Sequence, residues 1–243
     1  MTRSDVSPYI SWGQKVVKDA EKFNAYIKTR TDTFDGSYVL LSNENAIGRP
    51  FGTSPGLYPG HDKIIPHFVR AFDGFEPRIV YSIRPQWEYI ESYYLQLVHQ
   101  GYFNTFYQFL DEIDLDALQW NPIIDKFRAE FGRENVVVMD FGKIRQGQDV
   151  FLKEFIERAL SPEIVPDLDY DVVHNASISD RGLEMALRVN PLLKKGETGV
   201  VRRFLQEHFS NLTEPRPNLL AEHMKVELKA RYADEYAALV SGE

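Results

Sequence analysis

The sequence predicts an α/β fold, a parallel sheet flanked by helices and followed by a helical C-terminal part, and three observations carry this. Apolar, β-branched runs alternate with segments of helical periodicity through about residue 160. The run "RIVYSI" (78–83) has hardly a polar break, the pattern of a strand buried on both faces of a parallel sheet. From about residue 176 only helical patterns occur. Strands alternating with helices imply right-handed crossovers between parallel neighbours. At 243 residues the chain is read as one α/β domain over 1–243, with 176–243 as the helical end of that domain.

The elements follow in order. Ile10, Val16, Ala20, Phe23 and Ile27 recur at helical spacing with charges between them, so residues 10 to about 29 form an amphipathic helix. "SYVLLS" (37–42) reads as a short buried-type strand. The segment after it, "NENAIGRPFGTSPGLYPGHD", is too rich in Gly and Pro for anything but a long loop, and loops of that length are usually functional. A helix covers 62–73, the 78–83 strand follows, and a helix runs from about 86 to 99. Helical segments lie between 104 and 131, interrupted at Pro122. A third strand, "NVVVMDF" (135–141), leads into the helix "QDVFLKEFIERAL", and helices at 179–190, 199–209 and 218–240 complete the chain. No internal repeat or low-complexity tract divides it.

Composition narrows the functional classes. Hydrophobic residues make up 43% and charged residues 26%, ordinary for a globular chain. The formal charge of −8 argues against a nucleic-acid surface, while a local basic pocket for one anionic ligand stays compatible with it. With no cysteine there is no disulfide framework, thiolate metal site or cysteine nucleophile, and a cytoplasmic setting fits. The N-terminal stretch lacks the charged-then-apolar build of a secretory signal, and no apolar run approaches the length of a membrane span, so the sequons at Asn175 and Asn211 carry no weight. The six histidines, at 61, 67, 99, 174, 208 and 223, form no i, i+4 pair and no ligand spacing, so no metal is expected. His61, in the Gly-Pro loop, is a surface residue or faces an acceptor pocket. The aromatic cluster Trp87, Tyr89, Tyr93, Tyr94, Tyr102, Phe103, Phe106 and Tyr107 is read mainly as helix packing.

One spacing points to chemistry. Arg84 follows a strand, and in open α/β sheets ligands bind beyond the strands' carboxyl ends, where an arginine pairs with carboxylate or phosphate. Pro85 suits a helix start, which puts Ser92 about two turns in, roughly 10 Å along the axis. An anion along this edge would meet a guanidinium at one end and a hydroxyl at the other. Taken alone, Arg84 also fits a structural ion pair, and Ser92 a helix serine bonded to its own turn.

Arg84, Glu91, Ser92, Tyr94 and Gln96, in the string Arg-x-x-x-x-x-x-Glu-Ser-x-Tyr-x-Gln, resemble the 3′-phosphate-binding segment of sulfotransferases that use 3′-phosphoadenosine 5′-phosphosulfate (PAPS), in particular a bacterial branch. The resemblance implies that Arg84 and Ser92 bind the 3′-phosphate. "YVLLSNE" is similar to the family's second strand, whose end in several members carries a general base; by resemblance that residue is Glu44. "NVVVMDFGKIRQGQDVFLKEFIERAL" resembles the later strand and its helix, and "NASIS" with the terminal helices resembles the C-terminal part, so the similarity spans roughly residues 10 to 240. Lys194-Lys195-Gly196 with Gly199 resembles a basic loop that touches the 3′-phosphate in some cytosolic members, which makes Lys195 a third candidate ligand. The tryptophan expected after it is absent, Val200 standing near its place, and a solvated inter-helix loop is the competing reading.

The implied fold is the P-loop NTPase-like sulfotransferase fold, with one departure. The family's opening strand, its Pro-Lys-Ser/Thr-Gly-Thr-Thr phosphosulfate loop and the following helix are not found. The nearest echo, Pro50-Phe51-Gly52-Thr53-Ser54, lacks the lysine and runs into Pro55-Gly56 and Pro59-Gly60 instead of a helix. Either the sequence starts downstream of the natural start or the sulfuryl-donor site has been lost, and a sheet lacking that strand leaves backbone edges to be covered. The resemblance implies PAPS, or adenosine 3′,5′-bisphosphate, as cosubstrate, a carbohydrate or other hydroxyl or amine acceptor, and no metal. A non-catalytic homologue acting as a binding or scaffold protein is the first alternative. A glycosyltransferase or other nucleotide-binding α/β enzyme is the second, with no Asp-x-Asp pair to support a metal-dependent version.

Overall fold

A computed structural model describes residues 13–32, 38–44, 46–52, 54–160, 177–194 and 196–242. The described chain is a mixed α/β structure, mostly helical, with a small parallel sheet flanked by helices. It divides into two compact units: Met1–Ile83 with Asp116–Pro166 and Ala237–Glu243, and Arg84–Leu115 with Asp167–Tyr236.

In the first unit, α1 (Gly13–Thr31) leaves helical geometry at Asp19 and packs on α2 (His61–Ala71). At the helical spacing read from the sequence, Ala20, Phe23 and Ile27 of α1 are buried, as are Ile65, Phe68 and Ala71 of α2. Asn24 fastens the join, its amide donating to the carbonyls of Ala71 at 3.2 Å and Asp73 at 2.7 Å. Ile10 lies outside the described residues.

The sheet consists of β1 (Ile79–Ile83) and β2 (Val136–Asp140), paired in parallel register from Ile79 opposite Val136 to Ile83 opposite Asp140. Helix α5 (Asn121–Phe131) carries the chain toward β2, burying Ile123, Ile124 and Phe127. Pro122 stands in its first turn, where a missing N–H costs nothing, so it starts this helix instead of interrupting one. Tyr81 of β1 is enclosed by Trp120 at 6.1 Å and Phe127 at 5.9 Å between ring centres. That burial, then the neighbouring Tyr58 hydroxyl, holds its phenol well above the usual range. After β2, α6 (Gln148–Ala159) is tied by Glu154, which accepts from Lys143 at 2.6 Å and Arg158 at 3.0 Å.

The strand expected at 37–42 is not there. Ser37 lies outside the described residues, and 38–43 is irregular, with Tyr38, Val39 and Leu40 exposed by 50%, 39% and 56%. A strand exists by pairing, and strand propensity measures how well side chains fit a half-buried pleated surface. Among the described residues the sheet has two strands, and 38–42 pairs with neither.

The second unit is helical. It comprises α3 (Gln86–His99), α4 (Phe106–Leu110), α7 (Asp180–Val189), α8 (Thr198–His208) and most of α9 (Glu222–Ser241). Its core contains Ile90, Tyr94, Leu95 and Val98 of α3 with Phe106, Phe109, Leu183, Ala186, Leu205, Leu228 and Tyr232. The Tyr94 ring lies 5.1 Å from that of Phe106 and 5.5 Å from that of Phe109, so this part of the aromatic cluster is packing, while Phe103 and Tyr107 remain exposed. Asn190, after α7, donates to the carbonyls of Val98 at 2.8 Å and Tyr102 at 2.9 Å, fixing the end of α3.

Candidate functional site

The site is built from the first residues after β1. Pro85 (φ −51°, ψ 136°) is extended, and Gln86 opens α3 directly after it. Proline lacks the N–H that a first helical turn leaves unsatisfied, so the helix starts where the sequence places it. Two turns on, Ser92 comes back under Arg84, and the Arg84 guanidinium donates from Nη1 to Ser92 Oγ at 3.0 Å, both residues half-buried. A guanidinium presents N–H donors in a rigid planar fork, and a hydroxyl that accepts from it still has its own O–H to give. Two such groups in contact offer convergent donors to a single anion.

Another face of α3 is committed elsewhere. Glu91 is 6% exposed, yet its Oε1 accepts from the backbone amides of Leu219 at 3.1 Å and Leu220 at 3.0 Å, with Lys225 Nζ at 3.5 Å. The Lys225 and Lys229 ammonium groups lie 5.4 Å and 4.7 Å from the centre of the Trp87 ring. Gln86 donates to Glu235 Oε2 at 2.9 Å. These partners lie 128 to 149 residues away along the chain, too far for any local sequence pattern to signal them.

The other candidates are placed as follows. Glu44 sits on an exposed turn of the first unit, after the irregular 38–43 stretch, so it does not end a strand. Lys195 lies outside the described residues; beside it, Lys194 donates its amide to Glu197 Oε2 at 2.7 Å ahead of α8. His61 opens α2, its side chain largely buried, with Nδ1 2.9 Å from the Tyr58 carbonyl oxygen and Nε2 3.5 Å from Asp62. Tyr58 has a φ of 49°, a left-handed conformation that a bulky residue rarely adopts, held by amide donation to Pro50 O at 2.7 Å. Near the end of α3, burial pushes His99 down to about 4, the Arg202 charge adding to the effect.

Among the described residues no group of three or more His, Asp or Glu side chains is arranged to hold a metal ion, and no helix is long and apolar enough to cross a membrane. Neither protein-family models, curated proteins nor solved structures yield a match to this chain.

Proposed function

We propose that this chain is a sulfotransferase-like protein of P-loop NTPase-like fold, whose Arg84 and Ser92 bind the 3′-phosphate of PAPS or adenosine 3′,5′-bisphosphate. The observation that carries the proposal is the 3.0 Å contact between Arg84 Nη1 and Ser92 Oγ, made at the turn between a parallel strand and the next helix. Nucleotide phosphate entering there accepts from the guanidinium fork and from the serine hydroxyl, and charge-assisted bonds of this kind are the strong ones.

In the catalytic form of the proposal, an acceptor hydroxyl or amine attacks the sulfur in line. The new bond to sulfur forms as the bond from sulfur to the bridging phosphate oxygen breaks, and adenosine 3′,5′-bisphosphate leaves with that electron pair. The acceptor proton passes to a carboxylate base, a role that the resemblance alone gives to Glu44. Arg84 and Ser92 anchor the nucleotide, and the protein's contribution is positioning and charge stabilisation. The acceptor class is a carbohydrate hydroxyl or amine.

A second reading is a non-catalytic binding protein that keeps the 3′-phosphate contact alone. It is favoured by the segment 50–60, which carries no lysine and reaches its next helix only at His61.

Calorimetry with adenosine 3′,5′-bisphosphate tests both readings. Saturable binding is expected, with Arg84→Ala weakening it by about 100-fold, the scale of losing charge-assisted bonds to one phosphate. No binding, or equal binding by the variant, overturns the nucleotide assignment. Glu44→Gln separates the readings, since it removes sulfuryl transfer only in the catalytic one.

A further inference from the structure

We infer that Glu91 is a positioning residue for the Arg84–Ser92 pair: its buried carboxylate locks α3 to the chain entering α9, and so fixes the direction in which Ser92 meets Arg84. The inference rests on the reading above only for the identity of the anion.

Burying a carboxylate is costly. Glu91 is 6% exposed, and an ionised group so placed is tolerated only when paired and hydrogen-bonded. Its Oε1 meets that condition three times, with the Leu219 amide at 3.1 Å, the Leu220 amide at 3.0 Å and Lys225 Nζ at 3.5 Å. Lys225 is itself largely buried, at 12% side-chain exposure, and also donates to Asn218.

The location makes this more than an anchor. Glu91 adjoins Ser92, so on a helix the two side chains point about 100° apart. A fixed Glu91 therefore sets the rotation of α3 about its axis, and that rotation aims Ser92. Two further ties act on the same turns: Trp87 lies under Lys225 and Lys229, and Gln86 is bonded to Glu235. Arg84 precedes Gln86 by two residues, across Pro85, whose ring fixes φ and leaves little slack between the arginine and the helix. Releasing Glu91 removes the tie nearest Ser92 and loosens the rotation of α3 that aims Ser92 at Arg84.

The test uses the full chain and two readouts. The first needs no nucleotide: the Arg84 guanidinium N–H signals, assigned by their loss in Arg84→Lys, report whether the guanidinium is held on Ser92. Glu91→Ala is expected to speed their exchange on the order of tenfold, together with that of the Leu219 and Leu220 amides. The double variant Glu91→Gln/Lys225→Met keeps a carbonyl oxygen for the two amides and leaves no ammonium buried without its carboxylate, and it should restore slow exchange. If Glu91→Ala does not fold, Glu91→Asp, one methylene short of the amides, replaces it with the same expected result. The second readout is calorimetry with adenosine 3′,5′-bisphosphate, where Glu91→Ala should weaken binding by roughly tenfold and the double variant by little. Arg84 signals unchanged in Glu91→Ala, or exchange equally fast in the double variant, would overturn the inference. Wild-type protein that binds no bisphosphate while the Arg84 signals respond as expected overturns the nucleotide reading and leaves Glu91 as the positioning residue.

Discussion

His99 shows how a single residue acquires a property that its letter does not carry. Its Nε2 is buried without a hydrogen-bond partner, and burial, reinforced by the Arg202 charge, lowers its pKa from 6.5 to about 4. The fold therefore favours the neutral ring. The unfolded chain takes up a proton near pH 6.5 and the folded chain only near 4, so this contribution is present above pH 6.5 and is lost as pH falls toward 4. At about 1.4 kcal/mol per unit, and discounted for partial exposure, the loss is on the order of 2 kcal/mol. Thermal midpoints across pH 4 to 7 should fall less steeply in His99→Leu than in the wild type; parallel curves would refute this role. The proximity of Arg84 and Ser92 was legible at the same scale because it is local, eight residues apart with a helix start between them, but their direct 3.0 Å bond was not, the spacing having suggested groups at opposite ends of an anion. Glu91 was not, because its amide partners lie 128 and 129 residues downstream.

Elements were legible where local rules decide them. The helix expected at 86–99 is observed over those residues, since Pro85 sets its start and apolar spacing sets its buried face. The run 37–42 misled because strand-forming residues only report what a pairing partner would stabilise, and 38–42 has no such partner among the described residues. The start of α7 depends on close approach. Ser179 Oγ accepts from the Gly182 amide at 3.1 Å and donates to Glu214 at 2.5 Å, while the Ser179 amide donates to Phe209 O at 2.7 Å. A Cβ on Gly182 would lie 3.0 Å from Phe209 O and 3.1 Å from Ile178 Cβ, both on segments held by the Ile178–Ser210 bridge. Gly182→Ala gains helix propensity but must push this backbone aside, and a net loss of about 1 to 3 kcal/mol is expected. Urea denaturation measures it, and a variant as stable as the wild type would show that the backbone yields freely.

For the whole molecule, exposure decides where the chain is vulnerable. Tyr38, Val39 and Leu40 form an exposed apolar run outside regular structure, whereas most other large apolar residues of the first unit are buried or half-buried. Among the described residues of the first unit, brief chymotrypsin digestion should cut at Tyr38 or Leu40 before any site within α1, α2 or α5, as exposed irregular backbone is the preferred site of nicking. Mass spectrometry of the early fragments checks this, and earlier cuts inside α1, α2 or α5 would contradict the burial described. The ties of Gln86 and Glu91 to residues 219–235 bear also on biosynthesis. On a translating ribosome Arg84 and Ser92 emerge well over a hundred residues before the amides that steady Glu91, and contacts so distant in sequence form late. A nascent polypeptide halted short of Leu219 would carry Arg84 and Ser92 without the amides that hold Glu91, so the packing of α3 is completed only once residues 219 and 220 have been made.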